Sequence, residues 1–91
     1  MNVTFARKIQ QLRKSKGWTI FDLAREIGTT PGYISKIEAR GEIPSPKTVV
    51  KLARALQVDT GKLLDLAKEE KIEEIKKNII ERYEKFEKEF K

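Results

Sequence analysis

Between Phe5 and Ala67 the apolar residues recur three or four positions apart, and each such stripe is soon cut off. Phe5, Ile9 and Leu12 form the first stripe, Leu23, Ala24 and Ile27 the second, and Ile34 and Ile37 the third. Val49, Leu52, Ala53 and Leu56 form the fourth, and Leu63, Leu66 and Ala67 the fifth. This is helical spacing, and no run alternates convincingly with a period of two. The stops are equally regular. Gly17, Gly28 and Arg40-Gly41 close stripes, and Thr19 with Asp22 three residues on makes a variant capping box. Thr30-Pro31 and Ser45-Pro46 each place a hydroxyl cap before a proline, where the missing N–H costs nothing. Val58-Asp59-Thr60 opens the last helix. The expectation is an all-α chain with five short helices in residues 4–67, compact because a core this small leaves little margin.

Residues 68–91, KEEKIEEIKKNIIERYEKFEKEFK, have neither glycine nor proline. Ile72, Ile75, Ile79, Tyr83, Phe86 and Phe90 step by 3, 4, 4, 3 and 4, which is one stripe of a nearly straight helix. Glu73–Lys77, Glu81–Lys85, Glu84–Lys88 and Glu87–Lys91 have the spacing of helix-supporting ion pairs. Such a helix is about 36 Å long at ~1.5 Å per residue, whereas a domain of this size is roughly 28 Å across. One domain hardly covers the whole stripe. Either the helix over 60–67 continues into the tail, and the stripe then points away from the domain, or a break at Lys68–Lys71 folds the tail back. The expectation is a domain over 1–67 and a dimerisation helix over 68–91, built on the six stripe residues.

Charge follows the same boundary. Residues 1–67 hold 12 basic and 6 acidic side chains, and residues 68–91 hold 8 of each, so the net +6 belongs to the first segment. A basic domain suits a phosphate backbone. The chain has no cysteine and no histidine, so disulfides, thiolate or imidazole metal sites and the commonest general base are excluded. No enzymatic activity, cofactor or metal is expected. The apolar runs are too short to span a membrane, and the N-terminus lacks the apolar core of a secretory signal. A soluble, cytoplasmic chain is expected, with no membrane partner.

The stretch TIFDLAREIGTTPGYISKIEARGEIPS, with a short helix ending at Gly28, a tight turn and a second helix from Thr30, has helix-turn-helix form. Leu23-Ala24, Gly28, Ile34-Ser35-Lys36-Ile37-Glu38 and Pro44, flanked by IQQLRKSKGW and KTVVKLARALQVDTGKLLDLA, resemble the phage repressor and Cro type of domain, also called XRE-like. The resemblance covers roughly residues 4–67. It implies a five-helix repressor-like domain whose second motif helix, about 30–39, lies in the DNA major groove.

The resemblance also implies residue roles. Pro31, Gly32, Tyr33 and Lys36 fall where the family touches bases, and Thr30 lies on the same face; Lys36 suits guanine O6 or N7, and Gly32 suits close backbone approach. Pro31 and Gly32 depart from the amide side chains common in the family. Ile20 replaces a phosphate-binding glutamine, so phosphate contacts fall to Thr19, Arg40, Lys47 and Thr48. Arg13 matches the arginine that pairs with the glutamate at Glu38, a structural pair. Trp18 suits core packing, and Phe21 is open between packing on the first helix and contact with a partner.

These readings combine into a sequence-specific regulator of transcription, a repressor, binding double-stranded DNA as a homodimer on a two-fold operator. The alternative is an antitoxin-like or bridging regulator whose main role is to bind a partner protein.

Overall fold

The structure, a computed structural model, describes residues 3–90. Five helices follow one another: α1 (Phe5–Ser15), α2 (Ile20–Ile27), α3 (Pro31–Arg40), α4 (Pro46–Leu56) and α5 (Thr60–Glu89). Each begins at a side-chain cap. Thr4, Thr19, Thr30, Ser45 and Asp59 accept hydrogen bonds from the backbone N–H of Arg7, Asp22, Tyr33, Thr48 and Lys62, which satisfies donors that a helix N-terminus otherwise leaves free. The capping box at α2 is reciprocal. Asp22 N–H donates to Thr19 Oγ1 at 3.1 Å, and Thr19 N–H donates to Asp22 Oδ2 at 2.8 Å.

The five stripes meet in one core. Phe5, Ile9, Leu23, Ala24, Ile34, Ile37, Val49, Leu52, Ala53, Leu63 and Ala67 are buried, and Leu12, Trp18 and Leu66 pack at its edge. Gly28, in the left-handed region at φ 71°, turns the chain from α2 into α3, a conformation that costs little only without a Cβ. Helix α3 packs against α1 and α2, and α4 packs against α2 and α5.

Helix α5 runs unbroken for 30 residues. Its last buried residue is Ala67, and beyond that it leaves the body, so the molecule measures 55 × 25 × 25 Å. The fold-back alternative at Lys68–Lys71 is therefore not what forms. Ile72, Ile75, Ile79, Tyr83, Phe86 and Phe90 are all exposed, and so is Ile80, which lies off the stripe. Ion pairs on this helix use the three-residue spacing, Lys68–Asp65 at 3.4 Å, Lys71–Glu74 at 3.8 Å and Lys76–Glu73 at 3.8 Å, in place of the four-residue pairs expected. Lys91, of the expected Glu87–Lys91 pair, lies outside the described residues. Among the described residues no helix is long and apolar enough to cross a membrane.

Candidate nucleic-acid interface

Helix α3 is anchored by the buried Ile34 and Ile37, which leaves its opposite face outward. Thr30, Gly32, Lys36 and Arg40 are exposed there, and Tyr33 and Ser35 are half-buried, with Tyr33 packed against the core edge. The residues singled out from the sequence on this helix thus share one accessible surface, although Tyr33 presents only part of its ring.

The first turn of α3 is chemically sparse. Pro31 has no N–H, Tyr33 N–H is taken by Thr30, and Gly32 carries no side chain. A Cβ placed on Gly32 would meet nothing nearer than Thr30 Oγ1 at 4.0 Å. Its backbone is not in the left-handed region either. Nothing inside the fold therefore requires glycine at this position; a side chain there would obstruct only what approaches from outside. A bare backbone at the positive end of a helix dipole favours close approach of an electronegative group.

Behind this surface, Arg13 of α1 fixes the orientation of α3. Its Nε donates to Glu38 Oε2 at 2.8 Å and its Nη2 to Glu38 Oε1 at 3.0 Å, a two-pronged pair that is almost entirely out of solvent. The remaining prong, Nη1, donates to the Trp18 carbonyl at 2.7 Å. The hydrogen bond to Glu38 holds the Arg13 guanidinium above its ordinary pKa. This arginine faces inward, with each of its three nitrogens donating within the fold, so it has the pairing that the resemblance implies. Residue types do not announce the third contact, because every residue offers a carbonyl.

The four residues assigned to phosphates flank the α3 surface in sequence. Arg40 and Lys47 are exposed, Thr19 is exposed and Thr48 half-buried. The Thr19 backbone N–H is bound to the Asp22 carboxylate, as the capping box implies. The Asp22 carboxylate also hydrogen-bonds the Thr19 hydroxyl, so a phosphate contact there meets a negative charge and has to displace it. Thr48 Oγ1 accepts from Ser45 Oγ at 3.3 Å, which leaves its own hydroxyl hydrogen available. Phe21 does not pack on α1; it is 65% exposed.

One contact was not foreseen. Glu70, on the emerging part of α5, accepts a hydrogen bond from Phe5 N–H at 3.0 Å. Helix α1 has no acidic residue in its own first turn, and Glu70 supplies the negative charge its N-terminus favours.

Comparison with known proteins places these elements in context. A family model described as helix-turn-helix matches residues 9–63. The HTH-type transcriptional regulator SinR of Bacillus subtilis (strain 168) is 35% identical over 60 residues, 65% of this chain and 54% of that protein. The chain thus spans about half the length of that curated relative. Among solved structures, SinR, described as the master regulator for biofilm formation, in complex with DNA superposes with a TM-score of 0.61 at 32% identity, over 67% of this chain and 98% of that one. A complex of SinR with SinI superposes with a TM-score of 0.62 at 26% identity, over 91% of this chain and 90% of that one.

Proposed function

The chain belongs to the helix-turn-helix family, and from that premise we propose that it is a sequence-specific DNA-binding regulator of transcription, a repressor, that acts as a homodimer on a two-fold operator. The observation that carries the reading is the outward face of α3, held in place from behind by Arg13 and Glu38 and presenting Thr30, Gly32, Tyr33 and Lys36 together. A solved relative with this fold is bound to DNA. In this reading α3 enters the major groove, with Lys36 donating to a guanine edge and the Gly32 backbone lying close to the duplex. Thr19, Arg40, Lys47 and Thr48 contact phosphates and set the register. Repression follows from occupancy, since bound protein excludes the polymerase. Residues 1–67 form the DNA-binding unit, and residues 68–91 pair two chains through Ile72, Ile75, Ile79, Tyr83, Phe86 and Phe90, all of which stand in solvent on the single chain. The protein works in the cytoplasm, without enzymatic activity.

The test is binding of the full chain to duplex DNA as salt is varied. Each phosphate neutralised adds about −0.9 to the slope of log affinity against log salt, so a steep slope and a preferred sequence from a random pool are expected. A slope near zero overturns the reading.

A second reading has its own observation. Phe21 projects from α2 with 65% of its surface exposed, and a solved relative is in complex with a protein, SinI. A regulator whose main role is to hold a partner protein, antitoxin-like or bridging, would use that ring. The effect of Phe21→Ala on regulation in cells separates the two: none if the first reading holds, and a loss with DNA affinity unchanged if the second does.

A further inference from the structure

The exposed stripe on α5 reads the same in both directions. From Ile72 through Ile75, Ile79 and Tyr83 to Phe86 the steps are 3, 4, 4 and 3, symmetric about Ile79. Two such helices laid antiparallel with Ile79 opposite Ile79 bring Ile72 opposite Phe86 and Ile75 opposite Tyr83, so that apolar residues meet apolar residues along the whole stripe. Phe90 then falls level with Lys68 of the other chain.

What lies at Lys68 is a groove of about 560 Å³ between α5 and the loop and first turns of α4. Its apolar lining is Ile43, Pro44, Val49, Leu64, Ala67 and Ile72. Ile72 is also the first residue of the stripe, so groove and stripe are one continuous surface. At ~100° per residue, Lys71 and Glu89 lie on the same flank of the stripe. In the antiparallel arrangement like flanks meet, and Lys71 approaches Glu89 of the second copy. Among the described residues Lys71 pairs with Glu74 alone, at 3.8 Å in solvent, a pair worth little and readily exchanged. Ile80, exposed and off the stripe, sits on the other flank next to the centre, where two copies of it come together. That flank also carries Glu69 and Glu87 with Lys76 between them, so favourable charge pairing is confined to the Lys71 side.

We propose that a second copy of this chain lies antiparallel along α5, with the two-fold axis through Ile79, and seats its Phe90 in the groove between α4 and α5. The proposal rests on the homodimer reading above and adds the direction, the register and the seat. The two Ala67 residues, where the helices leave their domains, then lie about 24 helix positions apart, ~36 Å at ~1.5 Å per residue. That separation of the helix exits is comparable to one turn of DNA. Parallel pairing leaves the groove empty and Phe90 far from either domain.

The absence of cysteine makes the test direct. Lys71→Cys, Glu89→Cys and the double variant, all in the full chain, are first weighed by analytical ultracentrifugation and then treated with a short bis-maleimide cross-linker. Only the double variant should give covalent dimers, because antiparallel pairing sets each single cysteine about 24–30 Å from its own copy. Covalent dimers from both single variants mean parallel pairing and overturn this proposal while leaving the dimer intact. A monomeric mass for every variant overturns the dimer reading and this proposal with it. The seat is read separately. Phe90→Glu, at a position 82% exposed in the single chain, should weaken dimerisation at least about tenfold, and an unchanged dimer constant overturns the seating of Phe90.

Discussion

Arg13 and Glu38 stand 25 residues apart in sequence and meet through two parallel hydrogen bonds of 2.8 and 3.0 Å. The pair joins α1 to α3, and both side chains are nearly sealed from water. Removing one partner strands the other charge in a dry site, which costs about 3–5 kcal/mol. Arg13→Met and Glu38→Met are each expected to lower the thermal midpoint sharply. The double variant should recover much of the loss, since apolar residues of similar volume fit the same space. A thermal melt of all four proteins checks this; losses that simply add would show that the pair is not coupled.

Base reading and phosphate anchoring are expected to separate on α3. Lys36→Ala should weaken a preferred site more than random duplex, by ~1–3 kcal/mol for a lost base contact. Arg40→Ala should weaken both by similar amounts, with a smaller salt slope. Affinities for the two DNAs, measured at three salt concentrations, distinguish these outcomes. Equal effects from both substitutions contradict the assignment.

Gly32 is expected to trade stability against binding. Its Cβ position is open, and alanine in a helix is favoured over glycine by roughly 0.5–1 kcal/mol. Gly32→Ala should therefore raise the thermal midpoint and lower DNA affinity. A variant that is more stable and binds equally well would remove Gly32 from the interface.

The capping box sets a pH dependence. Hydrogen bonds from the Thr19 backbone and then its hydroxyl hold the Asp22 carboxyl below its ordinary value of 3.8. A lowered pKa in the folded state means that stability is gained above the unfolded value and lost as pH falls through the folded one. Asp22→Ala should thus melt lower than the native chain at neutral pH, and the difference should shrink as pH falls below 3.8 and vanish once the native carboxyl is protonated. Melts across an acid series show whether it does.

Chain association is the fifth quantity to measure. The full chain is expected to sediment as a dimer at tens of micromolar, and Ile75→Asp with Ile79→Asp as a monomer with an unchanged helical domain. Sedimentation equilibrium together with circular dichroism tests both halves. A monomeric full chain would contradict the assignment of residues 68–91 to pairing.

The helices and most of the core were legible because their signals are local. Period and cap lie within a few residues of each other, as at Thr30-Pro31 and at Thr19 with Asp22. The features that escaped depend on distance or on backbone atoms. Glu70 reaches Phe5 N–H across 65 positions, and nothing near either residue announces it. Arg13 finds the Trp18 carbonyl, which any residue type would offer. Gln57 ends α4 in the left-handed region at φ 57°, a place where sequence reading looks for glycine or asparagine. Ile80 was overlooked because it falls off the stripe that Ile79 defines. On the interface, residue types suggested which side chains face outward, and the capping box of Thr19 and Asp22 already implied that Thr19 N–H is occupied.

The unbroken course of α5 also bears on operator architecture. A loop between reading head and pairing element would let each head swivel to find its half-site. Here the same helix closes the domain with Leu63 and Ala67 and carries the pairing stripe, and Glu70 clamps its exit to α1. The proposed dimer would then be a rigid calliper. Each base pair inserted between half-sites rotates the far one by about 34° and carries it about 3.4 Å away, and a strut without a joint follows neither movement. The proposed dimer would measure the interval between its sites as strictly as it reads them, and operators with correct half-sites at altered spacing would be invisible to it.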